Sequence, residues 1–155
     1  MISDVHANEA ALRVMPEGLD YTVFMGDIVD YGPKPKECIQ MIRRSAWKMV
    51  RGNHDNAVAT RMDCQCSEVF KHLSVATREY MWEVLSEEET EFLRTLPLEE
   101  RFELGGASFY LTHATPTDNL FQYLSPDVTD ERLAQEMESV DADFIFIGHT
   151  HLPFV

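Results

Sequence analysis

The sequence predicts an α/β domain, and two observations carry that reading. Short apolar runs ending in polar or glycine-rich loops alternate with segments of helical period, and residues of metal-ligating type cluster at or just beyond the ends of those runs. Taken in order, a first helix over Glu9–Met15 stops at Pro16 and Gly18, and an apolar run at Tyr21–Met25 is the first strand. A second helix covers about Lys36–Arg44, followed by a strand at Trp47–Val50. Val69, Leu73, Ala76, Tyr80 and Val84 recur at three- and four-residue intervals, which predicts a helix with that stripe facing the core. Ser86 followed by Glu89 is a capping-box pattern, opening a helix that ends before Pro97. Gly105 and Gly106 read as the turn of a hairpin between strands at Arg101–Leu104 and Ser108–Thr112. A last helix at about Thr129–Ser139 precedes a strand at Asp143–Ile147 that leads into Gly148. No repeat, low-complexity stretch or linker divides the chain, so residues 1–155 are expected to form a single domain.

Composition narrows the classes of function. With 155 residues, 45% of them hydrophobic, the chain is long enough to bury one core. Its 27 acidic residues against 13 basic ones give a formal net charge of -14, a surface that repels nucleic acid backbones and anionic membranes. A nucleic-acid module is therefore disfavoured, and no membrane partner is expected. No apolar run approaches the roughly 20 residues needed to span a bilayer, and no basic stretch followed by an apolar one marks a leader. A cytoplasmic protein is the expectation. The three cysteines, Cys38, Cys64 and Cys66, make no disulfide framework. Cys64-Gln65-Cys66 lacks a second pair to complete a thiolate site and reads as ordinary reduced thiols near a loop.

The chemistry lies in five short segments: Asp4 with His6, Asp27 with Asp30, Asn53 with His54 and Asp55, His113, and His149 with His151. In open α/β sheets, ligands bind in the crevice outside the carboxyl ends of the strands, where distant segments converge. Each segment alone has a plainer reading. Asp4-Val5-His6 fits a turn and helix N-cap, Asp55 caps the helix that follows it, and a lone His113, like His72, is more often a hydrogen-bonded histidine than a ligand. The set is harder to explain that way. In extended chain, residues two apart point the same way, so Asp4 with His6 and His149 with His151 can each present two donors to one pocket. Four imidazoles, two carboxylates and an amide oxygen suit manganese, iron, nickel or zinc, and a set of this size can hold two ions.

The order Asp4-Val-His6, Gly26-Asp27-Ile28-Val29-Asp30, Gly52-Asn53-His54-Asp55, Thr112-His113-Ala114 and Gly148-His149-Thr150-His151 resembles the five-block signature of calcineurin-like metallophosphoesterases, and it runs from end to end of the chain. The segments at 26–33, 50–55 and 111–116 resemble in particular the small bacterial and archaeal branch described as Ser/Thr phosphatase-like or dinucleoside polyphosphatase-like. The resemblance implies a two-sheet α/β sandwich flanked by helices, with two divalent cations, manganese first, at one edge between the sheets. It implies that Asp4, His6 and His151 hold one metal, that Asn53, His113 and His149 hold the other, and that Asp27 bridges them. His54, oriented and kept protonated by Asp30, would be the general acid. Arg51 would help bind phosphate, or equally, from its place just before Gly52, make a surface salt bridge. The implied reaction is hydrolysis of a phosphate mono- or diester by a metal-bridging hydroxide, on a small phosphorylated substrate with nucleotides among the candidates. The alternative is a non-catalytic metal-binding scaffold for protein–protein interaction, which the filled ligand positions and His54 disfavour. Two departures are visible. Ala114 stands where the family usually has Gly, and only three residues precede Asp4 and four follow His151, so the chain reads as clipped at both ends, with exposed strand edges expected there.

Overall fold

The computed structural model describes residues 1–155 throughout. Asn8 opens α1 (Glu9–Arg13), its side-chain oxygen accepting from Ala11 N at 3.1 Å. β1 (Val23–Phe24) leads to α2 (Pro35–Ser45), where proline sits in the first turn with its φ already helical, and then to β2 (Lys48–Met49). β1 and β2 pair in parallel, Val23 opposite Lys48 and Phe24 opposite Met49, and Ile2 bridges Phe24 on the other side. The strands are shorter than the apolar runs predict. Backbone bonds continue past them, from Asp4 N to Gly26 O, His6 N to Asp27 O and Ala7 N to Ile28 O, but these residues leave the pleat.

α3 (Asn53–Thr60), α4 (Lys71–Val84) and α5 (Glu87–Thr95) follow. The Ser86 capping box forms as predicted: Ser86 Oγ accepts from Glu89 N at 3.2 Å, and Glu89 Oε2 accepts from Ser86 N at 2.8 Å. The expected core stripe of α4 is overturned. Val69 lies before the helix, and Leu73 and Tyr80 are exposed, whereas Ser74, Arg78 and Met81 are buried. The helix turns a largely polar face inward because the neighbouring loops supply partners for it, including Asp30 for Arg78 and the N–H of Tyr31 for Thr77.

β3 (Glu99–Leu104) and β4 (Ala107–Thr112) form the expected hairpin, with Gly105 and Gly106 at φ +63° and +86°, the left-handed pair that a tight two-residue turn requires. After α6 (Asp130–Glu138), β5 (Phe144–Phe146) pairs in parallel with β4, giving the order β3-β4-β5. Two cores result. Phe24, Ile28 and Val29 pack with Ile39, Ile42, Val58, Met81 and Leu93 between the first sheet and its helices. On the opposite face, Val23, Met25, Val50 and Leu111 pack with Phe102 and Phe146 between the two sheets. The alternation Val23, Phe24, Met25 thus serves both layers, as the two-residue period of a strand demands, and the segments that leave these strands converge at one edge.

Candidate metal centre

The five segments predicted from sequence meet there. Asp4, His6 and His151 form one group of ligand atoms lying within 4.8 Å of one another, and Asp27, His113 and His149 form a second. Asp27 Oδ2 lies between them, 3.7 Å from His6 Nε2 and 3.3 Å from His113 Nε2. Asn53 Oδ1 sits 2.9 Å from His113 Nε2.

The backbone reaches this arrangement by a route the sequence does not announce. Asp4, His6, Asp27, His149 and His151 are not extended; all have φ between 48° and 68°. So do Ala7, Asp30 and Tyr31, which makes eight of the ten non-glycine residues at positive φ part of these segments. Such conformations are costly for residues with a Cβ and persist where surrounding structure enforces them, typically at functional sites. The pairing of side chains two apart, expected from extended chain, comes instead from left-handed turns. Glycines admit the close approach. A Cβ on Gly26, itself at φ +92°, would lie 2.6 Å from Gly52 N and 2.8 Å from His113 Nδ1. Ala114 is not among the residues at positive φ, so its methyl group brings no left-handed strain.

Asp55 does more than cap. As the third residue of α3 it accepts from Gly52 N at 3.1 Å, closing the helix start, and it also accepts from the N–H groups of Asp27, Ile28 and Val29 at 2.8, 2.8 and 3.2 Å. One buried carboxylate therefore ties the loop after β1 to the start of α3. Burial and the neighbouring Asp27 carboxylate push its pKa up to about 7, against N–H donors that favour the anion.

Hydrogen bonds fix which nitrogens face the centre. His6 Nδ1 donates to Val29 O at 3.0 Å, His113 Nδ1 to Met25 O at 2.7 Å, and His149 Nε2 to Phe121 O at 3.2 Å. A carbonyl only accepts, so each of these rings carries its proton there and, when neutral, points a lone pair inward. Inward lie His6 Nε2 and His151 Nε2 at 3.2 Å, His113 Nε2 and His149 Nδ1 at 3.1 Å, the Asp27 carboxylate and Asn53 Oδ1. Asp4 Oδ1 is buried, with His151 Nε2 3.3 Å away as its polar neighbour. Acceptors packed against acceptors repel unless cations or protons lie between them, so the residues present fit two divalent cations.

His54 stands apart from both groups. Its Nδ1 lies 2.8 Å from Asp30 Oδ2. Burial alone would lower its pKa, but the carboxylates of Asp27 and Asp30 outweigh it and raise the pKa above the ordinary value. Arg78, which the sequence did not single out, donates to the same Asp30 oxygen through Nη2 at 3.0 Å and Nε at 3.3 Å. An arginine in an otherwise amphipathic helix carries no local signal of such a role. Arg51 Nη1 donates to Arg94 O at 2.8 Å and its backbone N–H to Pro97 O, tying the end of α5 to the chain ahead of α3. His72 belongs to neither group.

No helix is long and apolar enough to cross a membrane. The family model for the calcineurin-like phosphoesterase superfamily domain matches residues 1–155. Uncharacterized protein MJ0912 of Methanocaldococcus jannaschii is 32% identical over 163 residues, an alignment covering all of this chain and 63% of that protein. A metallophosphoesterase from Sphaerobacter thermophilus, also 32% identical, superposes with a TM-score of 0.73 over 98% of this chain and 59% of its own. Hypothetical protein PH1004 from Pyrococcus horikoshii OT3, at 22% identity, shares the fold with a TM-score of 0.81 over 98% of this chain and 69% of its own. The chain thus spans about three fifths of the first two. The motif blocks, the two-sheet architecture and the matched family agree, and the chain belongs to the calcineurin-like phosphoesterase superfamily.

Proposed function

We propose that the chain is a metal-dependent phosphoesterase, a hydrolase acting on a phosphate mono- or diester of a small substrate, with residues 1–155 forming one catalytic domain. Asp4, His6 and His151 would hold one divalent cation and Asn53, His113 and His149 the other, with Asp27 between them. When bound, two such cations, manganese first among the candidates, supply Lewis acidity and an activated water. The chain's own residues do the rest. Asp27 Oδ1 accepts from His54 N at 2.9 Å, which leaves Oδ2 directed at His6 and His113. Arg78 anchors Asp30, Asp30 accepts a hydrogen bond from His54 Nδ1, and the other ring nitrogen is left to give a proton to the departing oxygen.

The observation that carries this reading is the His54–Asp30 pair. Outside the two carboxylate-and-imidazole ligand groups, an imidazole held by a buried carboxylate and with its pKa raised is equipped to give a proton. His54→Asn should therefore keep two bound cations while slowing hydrolysis of an alkyl phosphate ester by roughly 10²- to 10⁴-fold. A nitrophenyl ester, whose leaving group departs without a proton, should suffer much less. Metal analysis beside the two rates decides: an emptied metal position, or equal losses on both esters, would sink the division between ligands and acid.

A further inference from the structure

We propose a third cation site beside the metal centre, formed by Cys64, Cys66 and His54 and selective for soft divalent ions of the zinc and cadmium class. Read as sequence, Cys64-Gln65-Cys66 lacked partners. The fold supplies one. α3 ends at Arg61 in a left-handed conformation, φ +60°, and Gln65 takes φ +50° between the two cysteines, so the chain folds back along α3 and sets both sulfurs on one side, 2.8 Å apart. A ring nitrogen of His54 lies with them, the three ligand atoms all within 4.8 Å of one another, and all three residues are buried.

This donor set differs in kind from the two groups of the metal centre. Those offer carboxylate, amide and imidazole; this one offers two thiols and one imidazole, the combination that zinc and cadmium favour and manganese does not. Its surroundings favour charge on the Cys64 sulfur, whose pKa hydrogen bonds lower against the effect of burial, while burial raises that of Cys66. Ser74 Oγ is 3.3 Å from Cys66 Sγ and 3.6 Å from Cys64 Sγ, and the Arg78 guanidinium, which anchors Asp30, is close enough to interact electrostatically with Cys64. Neither sulfur belongs to the two ligand groups of the centre. Two couplings tie the site to that centre. The imidazole it would recruit is that of His54, and the Cys64 carbonyl accepts from Asn53 Nδ2 at 2.7 Å, so the same turn steadies Asn53. A soft cation bound here removes His54 from acid catalysis; this inhibitory consequence, though not the binding itself, rests on the phosphoesterase reading.

The test is a titration of the reduced, manganese-loaded chain with cadmium, followed by the ultraviolet thiolate-to-cadmium absorption band. No ligand of the metal centre is sulfur, and the third thiol, Cys38, is fully buried in the first core, so the band reports this site. It should saturate at one equivalent and vanish in the Cys64→Ser, Cys66→Ser double variant. His54→Asn keeps both sulfurs and should weaken cadmium binding by at least about tenfold. Cadmium should also slow hydrolysis by the wild-type chain and spare the double variant, whose folding is checked by its melting curve. Because the single Cys66→Ser variant retains one thiol, it should show a weaker band at lower affinity. A missing band in the wild type, a band that survives the double substitution, or an affinity indifferent to His54→Asn each overturns the site. Should no ester be hydrolysed by any form, the band still decides the matter.

Discussion

The two ligand groups of the candidate metal centre are built to different standards. Around Asp27, Asn53, His113 and His149 everything is buried, and each imidazole is pinned by a backbone carbonyl. Around Asp4, His6 and His151 only His6 is pinned in that way; the His151 side chain is 54% exposed, against 0% for His113, and only its Nε2 is engaged, by Asp4 and His6. The difference teaches where preorganisation comes from. A ring whose second nitrogen is bound to the protein has its lone pair aimed before any cation arrives, whereas His151 must be ordered by the cation itself. The buried half should bind first and more tightly.

Truncation should separate the halves most sharply. His113→Ala removes a fully buried ring, its bond to Met25 O and the group facing both Asp27 and Asn53, so it should abolish binding at the buried position and lower the stability of the metal-free chain by roughly 3 kcal/mol, the scale of emptying a buried ring site. His151→Ala should weaken only the second cation, by at least about tenfold, and leave the metal-free melting temperature unchanged. Calorimetric titration with manganese should show two unequal events in the wild type and one in His151→Ala. Two equal sites, or a His151→Ala variant that loses both, would break the distinction.

Protonation should mark the same boundary. In the metal-free chain burial works to lower the pKa of His113, but the Asp27 carboxylate prevails and pushes it up to about 9. His149 moves the other way, pushed down to about 4 by burial and by the charge on His113. A proton on His113 thus places positive charge beside the Asp27 carboxylate, as a bound cation would. Because its folded pKa lies above the ordinary 6.5, the stability it contributes is full below about pH 6.5 and is lost as pH rises through about 9. His149, with a depressed pKa, acts below pH 6.5, outside that window. Melting temperatures of the metal-free chain should therefore fall between pH 6.5 and 9, and manganese, which replaces the proton, should remove the fall. A flat metal-free profile would mean that Asp27 does not hold a proton on His113.

What the sequence made legible was local or repeated. The hairpin at Gly105-Gly106 and the Ser86 capping box depend on neighbours in sequence, and the five blocks were recognisable because their order is kept. What it hid was set by partners far along the chain. The left-handed backbone at Asp4, His6 and Asp27 follows from Asp55 gathering the N–H groups of the loop after β1, and from Gly26 and Gly52 letting those loops touch. Asp55 was legible as a cap but not as that tie. The inward face of α4 was misread for a related reason. Periodicity finds the apolar stripe, but Ser74, Thr77 and Arg78 are drawn inward by thiols, an N–H group and a carboxylate that only the fold brings near.

The smallest expected effect concerns the two arginines, and it sets sequence position against geometry. Arg51 stands next to the Gly52-Asn53-His54-Asp55 block and by position alone is the candidate to bind phosphate; Arg78 is remote in sequence. In the fold the order reverses. Arg51 spends its guanidinium on the Arg94 carbonyl, with Nε buried and unpartnered, while Arg78 reaches Asp30 directly behind His54. Arg51→Lys should leave KM and kcat within about twofold and cost about 1 kcal/mol of stability, the value of one hydrogen bond. Arg78→Lys should lower kcat for an alkyl ester with little change in KM, because Lys cannot reproduce the two-pronged hold on one carboxylate oxygen and His54 loses its orientation. The nitrophenyl ester should hardly notice. If instead Arg51→Lys raises KM severalfold on both esters at unchanged melting temperature, its side chain leaves the Arg94 carbonyl for the substrate, and adjacency in sequence outweighs the hydrogen bond seen in the fold.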